Sequence, residues 1–307
     1  MHDIKFIRNH PDKFDENMKS ILVVGLVTVD LIYYLNKLPN KGIKYVSKKQ
    51  IFSTGGNACN ASIAITRLGG SATFLSSIGN DFFGHFIIKE LKKENINTDH
   101  LLIKNNINTS NSSITIDNNG ERQIVNFRSD NLDFDQNNFI EKNIFNAYLT
   151  DGRLKNASIF ILKEAKKNKK PGVLDAETPV CERSVKEASH VAFSMQGLES
   201  FTNTKSIKKA LKIVKNFADN FSCVTNGEKG VFFLDNDDLV QLKPPKIKAK
   251  DTLAAGDVWH GAFTYAVSIG TPIVNACKYA NLAASKKCEN LGGIKATPYK
   301  FKNDYVK

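Results

Sequence analysis

The sequence predicts an α/β protein in which a central, mostly parallel sheet is flanked by helices and carries a small β lid. Three observations predict it. From Ile21 onward, apolar runs of strand length alternate with segments of helical period, as in repeated βα units. Two stretches, 31–53 and 111–128, break that rhythm and read as antiparallel ribbons inserted into it. The chain has 307 residues, 41% hydrophobic and 24% charged, which is long enough for a sizeable core and too ordinary in composition for disorder.

Taken in order, residues 1–19 are charged and at best amphipathic, so they form an N-terminal extension to a domain spanning 20–307. The first strand is the buried run 21–26, and further strands are expected at 72–78, 146–150, 172–175, 190–194 and 222–226. Helices are expected at 57–68, 82–94, 152–168, 205–219, 255–268 and 273–288. In the second ribbon, Asn118-Asn119-Gly120 supplies a tight turn between Ile114-Thr115-Ile116 and Ile124-Val125. Ribbons of this kind in a parallel α/β protein are candidates for a lid.

Composition narrows the function classes. The net charge is +12, yet the lysines are scattered and the basic motifs of nucleic-acid modules are absent, so no nucleic-acid partner is expected. A lysine-rich surface that attracts anionic substrates accounts for the charge. Cys59, Cys181, Cys223, Cys277 and Cys288 are odd in number and lack C-x-x-C spacing, which argues against disulfides and structural zinc and fits a reducing cytoplasm. No apolar export signal opens the chain, and the longest apolar stretch, 21–35, is interrupted by Asp30, so no membrane span is expected.

The stretch with the most chemistry is Asp251-Thr252-Leu253-Ala254-Ala255-Gly256-Asp257, at the mouth of a helix. Backbone N–H groups of a first turn lack intrahelical partners, and small residues such as Ala254, Ala255 and Gly256 let an anion approach them closely. A carboxylate at Asp257 is then placed to take a proton from an attacking hydroxyl, or, more simply, decorates the positive end of a helix. Asp30, just beyond the first strand, is positioned to accept hydrogen bonds from vicinal hydroxyls or to form a turn. In Gly55-Gly56-Asn57-Ala58-Cys59-Asn60, Gly56 permits close backbone approach, while Asn57 and Asn60 share a helix face and suit neutral polyols; Asn57 as an N-cap is the competing reading. No G-x-G-x-x-G follows the first strand and no P-loop occurs, which removes support for dinucleotide and P-loop sites.

These motifs resemble the PfkB carbohydrate kinases over roughly residues 21 to 298, carried by G-G-N-x-x-N after an Asp-bearing first strand and by the D-T-x-x-A-G-D box at 251–257. Within that family the sequence is most similar to ketohexokinase-like members, through Gly55 to Asn60, Glu121-Arg122 in the lid and Lys286-Lys287-Cys288 followed by Gly292-Gly293-Ile294. The resemblance implies a ribokinase-like fold and an ATP- and Mg2+-using sugar kinase. It implies that Asp30, Gly56, Asn57 and Asn60 hold the sugar, that Asp257 is the base, and that the 254–257 amides and Arg122 contact the transferring phosphate. Thr225-Asn226-Gly227-Glu228-Lys229-Gly230 resembles the family's T-x-G-x-x-G turn, placing ATP against Thr225, Gly227 and Gly230, with Asn281 on the adenine side. Cys288 lines the same pocket or is simply a buried hydrophobe. Asp251 and the Leu253 carbonyl are candidates for a monovalent-cation (K+) site found in some relatives, and lid pairing implies a homodimer.

The chain also departs from the pattern. Ser194-Met195-Gln196-Gly197 stands where many members carry Asn-x-x-Glu near magnesium, and Val258-Trp259-His260 replaces Thr-Phe-Asn, leaving His260 facing either substrate or core. A nucleoside kinase of the same family and a silent sugar- or nucleotide-binding protein are the alternatives. Residues 1–18 resemble the N-terminus of seryl-tRNA synthetase, from which an extension without a catalytic role is expected.

Overall fold

The computed structural model describes residues 18–134 and 145–306, so the expectations for the segment 1–17 lie outside the described residues. Its centre is a nine-stranded sheet. In chain order its strands are β1 (Ser20–Val24), β4 (Ser71–Gly79), β5 (Leu101–Lys104), β8 (Ala147–Thr150), β9 (Gly172–Ala176), β10 (His190–Ser194), β11 (Phe221–Thr225), β12 (Val231–Asp235) and β13 (Asp238–Leu242). Spatially they run β13-β12-β11-β10-β9-β8-β1-β4-β5, all in one direction except the reversed β12, which is antiparallel to both neighbours. The remaining strands, β2 (Thr28–Tyr34), β3 (Lys49–Gly55), β6 (Asn111–Ile116) and β7 (Arg122–Phe127), form a separate sheet ordered β3-β2-β6-β7.

Helices cover both faces because both faces of the parallel strands are apolar. On one side α1 (Asn57–Arg67), α2 (Phe82–Lys93), α7 (Ala255–Ser268) and α8 (Ile273–Cys288) pack with Ile21, Val23 and Phe74. On the other, α3 (Lys155–Lys167) meets Leu22 and Val24, while α4 (Glu182–Glu187), α5 (Met195–Thr202) and α6 (Ile207–Phe217) meet Leu174, Val191 and Val224. Alternate residues of each strand thus enter opposite cores. Among the described residues no helix is long and apolar enough to cross a membrane.

The expected strands and long helices are present, with ends displaced by a few residues. Two expectations need correction. The ribbons are each antiparallel internally, but β2 pairs β6 in parallel, so the lid is one mixed sheet rather than two independent hairpins. Asp30 is the third residue of β2 in that sheet and does not follow the core strand directly. The chain leaves β1 for the lid within four residues, and Thr28 pairs with Gly55, so the lid's root is joined to the first turn of α1.

Two helices fix where that first turn points. α1 and α7 cross at Gly261, where an added Cβ would lie 2.6 Å from the Ala61 carbonyl and 2.9 Å from the Ala64 methyl. Gly261→Ala should therefore cost about 1–3 kcal/mol of stability through overpacking, read as a lowered melting temperature, and should reduce turnover by parting α1 from α7. A variant as stable and active as the parent would show that the crossing tolerates separation.

Candidate functional site

Between β1 and β8 the strand order changes direction, and ligands of open α/β sheets gather beyond the carboxyl ends of strands at such a crevice. The crevice floor is Asp151, buried just past β8, whose carboxylate accepts from the amides of Leu26 at 2.8 Å and Ala58 at 3.3 Å. Burial pushes its carboxyl up to about 6, against the hydrogen bonds from the Arg153 and Leu26 amides. It pins the start of α1 to the end of β1. Gly56 caps that helix at φ 92°, and an added Cβ would lie 2.4 Å from the Leu26 carbonyl, so glycine is required by both conformation and space. Asn57 is the first helical residue rather than the N-cap.

From this turn two amides reach two acids. Asn60 Nδ2 donates to Asp257 Oδ2 at 2.6 Å, and Asn57 Nδ2 donates to Asp175 Oδ2 at 3.2 Å. His260 lies one helical turn beyond Asp257 with its Nδ1 at 3.3 Å from Asp175 Oδ2, although neither ring nitrogen makes a hydrogen bond. Asp175 Oδ1 and Asn60 Oδ1 are buried and likewise without a partner. Buried polar atoms are nearly always paired, so four such atoms in one cluster mark a place for hydroxyl or water ligands.

The electrostatics are those of a crowded acid pair. Burial pushes the Asp257 carboxyl up to about 7, with Asp175 and Glu177 adding to the shift while Asn60 and His260 oppose it. Burial also disfavours charge on His260, but the carboxylates of Asp175, Asp257 and Glu177 outweigh it and hold the ring above its ordinary 6.5. Asp30, at the lid's root, accepts from Thr28 Oγ1 at 2.9 Å; burial raises its carboxyl, while Thr28, Ser112 and Arg128 pull the other way.

Asp257 sits in the first turn of α7. Ala254 caps this helix in the left-handed region at φ 63°, an uncommon conformation for a residue with a Cβ, and the intrahelical ladder opens with Val258 N donating to Ala254 O at 3.0 Å. The amides of Gly256 and Asp257 precede that first bond, and a Cβ built on Gly256 would meet nothing within 4 Å. The helix mouth is thus open to an incoming anion. From the lid, Arg122 Nη1 reaches Thr252 Oγ1 at 3.4 Å, while Leu253 packs against the lid's Ile32, Ile114 and Ile116.

Of the other expected residues, Thr225 ends β11, with its hydroxyl 3.4 Å from the Phe193 carbonyl, and Gly227 begins a 3-10 turn with open space above it. Gly230 is needed for packing, since a Cβ there would lie 2.1 Å from the Leu242 carbonyl. Asn281 is buried: its Oδ1 accepts from Trp259 Nε1 at 2.9 Å and its Nδ2 donates to Leu242 O at 2.8 Å, so the amide ties α8 to α7 and β13. Burial raises the Cys288 thiol, as for a buried hydrophobe rather than a reactive thiolate; all five cysteines are free, and only Cys181 is part-exposed, its thiol lowered against burial by hydrogen bonds from Ser184.

Asp251 is held by backbone amides. Its Oδ2 accepts from the amides of Gly292 at 3.0 Å and Gly293 at 2.7 Å, and its Oδ1 accepts from the Leu253 amide at 2.8 Å. Burial opposes its ionisation, but these bonds and Lys287 hold the carboxyl below 3.8. The fully buried Lys287 donates to the Asp251 carbonyl at 2.8 Å, with its Nζ 3.4 Å from Oδ1. Asp175 and Asp151 have no motif to announce them, and the Lys286-Lys287-Cys288 match assigns Lys287 no part, because each acquires its part only through contacts distant in sequence.

The family model for "pfkB family carbohydrate kinase" matches residues 18–300. The chain belongs to the PfkB family. It is therefore an ATP-dependent carbohydrate kinase, a phosphotransferase with an alcohol group as acceptor. It is 26% identical over 92% of its length to a bifunctional ribokinase/ribose-5-phosphate isomerase A of Fructilactobacillus sanfranciscensis, of which it spans only 55%. It is 24% identical to the ribokinase of Schizosaccharomyces pombe, covering 92% of this chain and 95% of that one. A crystal structure assigned as a ribokinase, from Agrobacterium tumefaciens, superposes with a TM-score of 0.86 at 28% identity, covering 92% and 95% of the two chains. A fructokinase double mutant from Vibrio cholerae O395, in a form with fructose, ADP and potassium ion bound, superposes at 0.75 with 21% identity over 92% and 96%. None of these four relatives is a ketohexokinase.

For this PfkB enzyme, turnover should rise with pH through about 7 as Asp257 loses its proton. Asn60→Ala should move the midpoint upward, because the lost hydrogen bond favours the carboxylate. The folded state holds the Asp257 proton more tightly than the unfolded chain, so this group's contribution to stability is present below 3.8 and lost as pH rises through about 7. Melting curves should accordingly show Asp257→Asn gaining on the parent protein between about pH 4 and 7 and keeping that margin above it; a constant difference from pH 4 to 7 would contradict the buried-acid assignment.

Proposed function

We propose that this kinase transfers the γ-phosphate of ATP to a primary hydroxyl of a small, neutral polyol sugar of the ribose or ketohexose type, with Asp257 as general base. The hydrogen bond from Asn60 to Asp257 carries this reading, because it joins a hydroxyl-reading amide to the carboxylate at an open helix mouth. The sugar lies over Asp30, Gly56, Asn57 and Asn60. Its hydroxyls supply partners for the unpaired oxygens of Asn60 and Asp175. Asp257 accepts the proton as the hydroxyl attacks in line, and the Gly256 and Asp257 amides stabilise charge on the transferring group, the Ala255 amide donating instead to the Thr252 carbonyl at 3.2 Å. Arg122 approaches from the lid, which excludes water. The nucleotide runs toward Thr225 and Gly227.

When bound, Mg2+ neutralises charge on the nucleotide phosphates. Among the described residues no group of three or more His, Cys, Asp or Glu is arranged to hold a metal, and the Ser194 hydroxyl is used in capping α5 through the Gly197 amide at 3.0 Å. No protein ligand is assigned to Mg2+.

The names of the relatives favour ribose and fructose over a nucleoside, and the amide-rich cluster agrees, since a base would ask for aromatic stacking. ATP consumption against pentoses, ketohexoses, sugar acids, sugar phosphates and nucleosides tests the reading. One neutral sugar should be turned over, and Asp257→Asn should slow it by about two to four orders of magnitude while binding survives. Turnover confined to nucleosides or sugar phosphates would overturn it.

We also propose a homodimer paired through the lid. All six residues of the edge strand β7 are exposed, Val125 by 66% and Phe127 by 44%, and an apolar open edge is a template for pairing. Light scattering should give a dimer, and Val125→Asp a monomer; a monomeric parent protein would refute the pairing.

A further inference from the structure

A lysine without any exposed surface needs a reason, because burying an ammonium is costly unless fixed charge and hydrogen bonds replace water. Lys287 has both. Its Nζ donates to the Asp251 backbone carbonyl at 2.8 Å and stands 3.4 Å from Asp251 Oδ1. These are oxygens of the residue that the sequence marks as a monovalent-cation ligand, in the loop leading to the anion-binding turn.

The donor set does not suit a bound ion. Three backbone amides, those of Leu253, Gly292 and Gly293, already occupy the Asp251 carboxylate, and Lys287 takes its remaining approach together with the carbonyl. A K+ on those oxygens would have to share them with an ammonium of equal charge. Potassium and ammonium ions are close in size and both bind carbonyl and carboxylate oxygens, so a tethered ammonium can do the work of the ion.

We propose that Lys287 is this kinase's built-in monovalent cation: its ammonium takes the place of the potassium ion found in the related fructokinase and holds the 251–257 turn in its anion-binding form without added K+. Lys287 is a positioning residue, acting through Asp251 and the turn. The proposal rests on the kinase reading for its consequence in turnover. Its structural half concerns the folded loop alone and can be measured with no sugar present.

The test uses the full chain in chloride salts of potassium, sodium, ammonium, methylammonium and tetramethylammonium at equal ionic strength. Melting temperature and, once a sugar substrate is known, turnover are read in each. The parent protein should melt at one temperature and turn over at one rate in all five salts. Lys287→Ala should lose about 10- to 100-fold in turnover in tetramethylammonium, the size of effect that misplacing a reacting group produces. Potassium, ammonium or methylammonium should restore part of that loss and raise the variant's melting temperature, because each can enter the vacated space and bind the same oxygens. A parent protein that potassium raises in melting temperature, or activates by about fivefold or more, has a cation site of its own and overturns the proposal. So does a folded Lys287→Ala that no small cation stabilises, since Lys287 would then be structural only. If that variant does not fold, the salt series on the parent protein still decides. If no sugar is phosphorylated but the melting pattern holds, the kinase reading falls and the internal cation stands.

Discussion

The hydrogen bond between Asn60 and Asp257 is the constraint that the rest of the site answers to. Its partners belong to different helices and are 197 residues apart in sequence, so it exists only if α1 and α7 cross at one distance. Gly261 sets that distance by admitting the Ala61 carbonyl and the Ala64 methyl where a side chain would stand. Asp151 then anchors the near end of α1 through the Leu26 and Ala58 amides, so the helix can neither slide along the sheet nor tilt away from it. A buried carboxylate with a single strong donor is poised between its two protonation states. A base asked to take a proton and then release it should sit there.

The same crowding explains why His260 belongs beside Asp175. Two carboxylates sharing one low-dielectric region repel, and one of them protonates unless a positive charge intervenes. The imidazole, held above its ordinary range by those acids, supplies that charge, while Asn57 contributes a neutral dipole. A histidine at 260, 3.3 Å from Asp175, thus alters the balance of charge around Asp257 and Asp175.

Local pattern carried the sequence reading a long way. The helix at 255–268, the turn of small residues before it and the strands at 190–194 and 222–226 are set by apolar period and by residue size, both visible along the chain. What stayed hidden depends on contacts between distant segments. The parallel pairing of β2 with β6 joins segments some eighty residues apart, and no alternation of side chains distinguishes it from two separate ribbons. Asp175 reads as one more strand residue until Asn57, 118 residues earlier, donates to it. The short α4 and α5 carry too few periods to be recognised. Asn281 shows the same from the other side: a motif match says which residue stands at a position but not what its amide holds, and here Trp259 donates to its oxygen and Leu242 accepts from its nitrogen.

Around the 251–257 box, positive charge comes from sources of different mobility. The amides at the mouth of α7 are fixed by the helix and by the left-handed Ala254, so they need no reorganisation when an anion arrives. Lys287 is fixed too, enclosed by protein and bonded to Asp251. Arg122 differs, because it rides on an exposed lid strand and meets the box through one long contact with Thr252. A site whose positive charge were all fixed would bind the product phosphate as firmly as the transferring group, whereas one built wholly on mobile side chains would have to reorganise at each turnover. Here the charge is divided between the fixed α7 amides and Lys287 on one side and Arg122 on an exposed strand on the other. The apolar contact of Leu253 with Ile32, Ile114 and Ile116 buries the inner face of the second sheet against the 251–257 loop, so the strand that carries Arg122 and the mouth of α7 are held in register by packing.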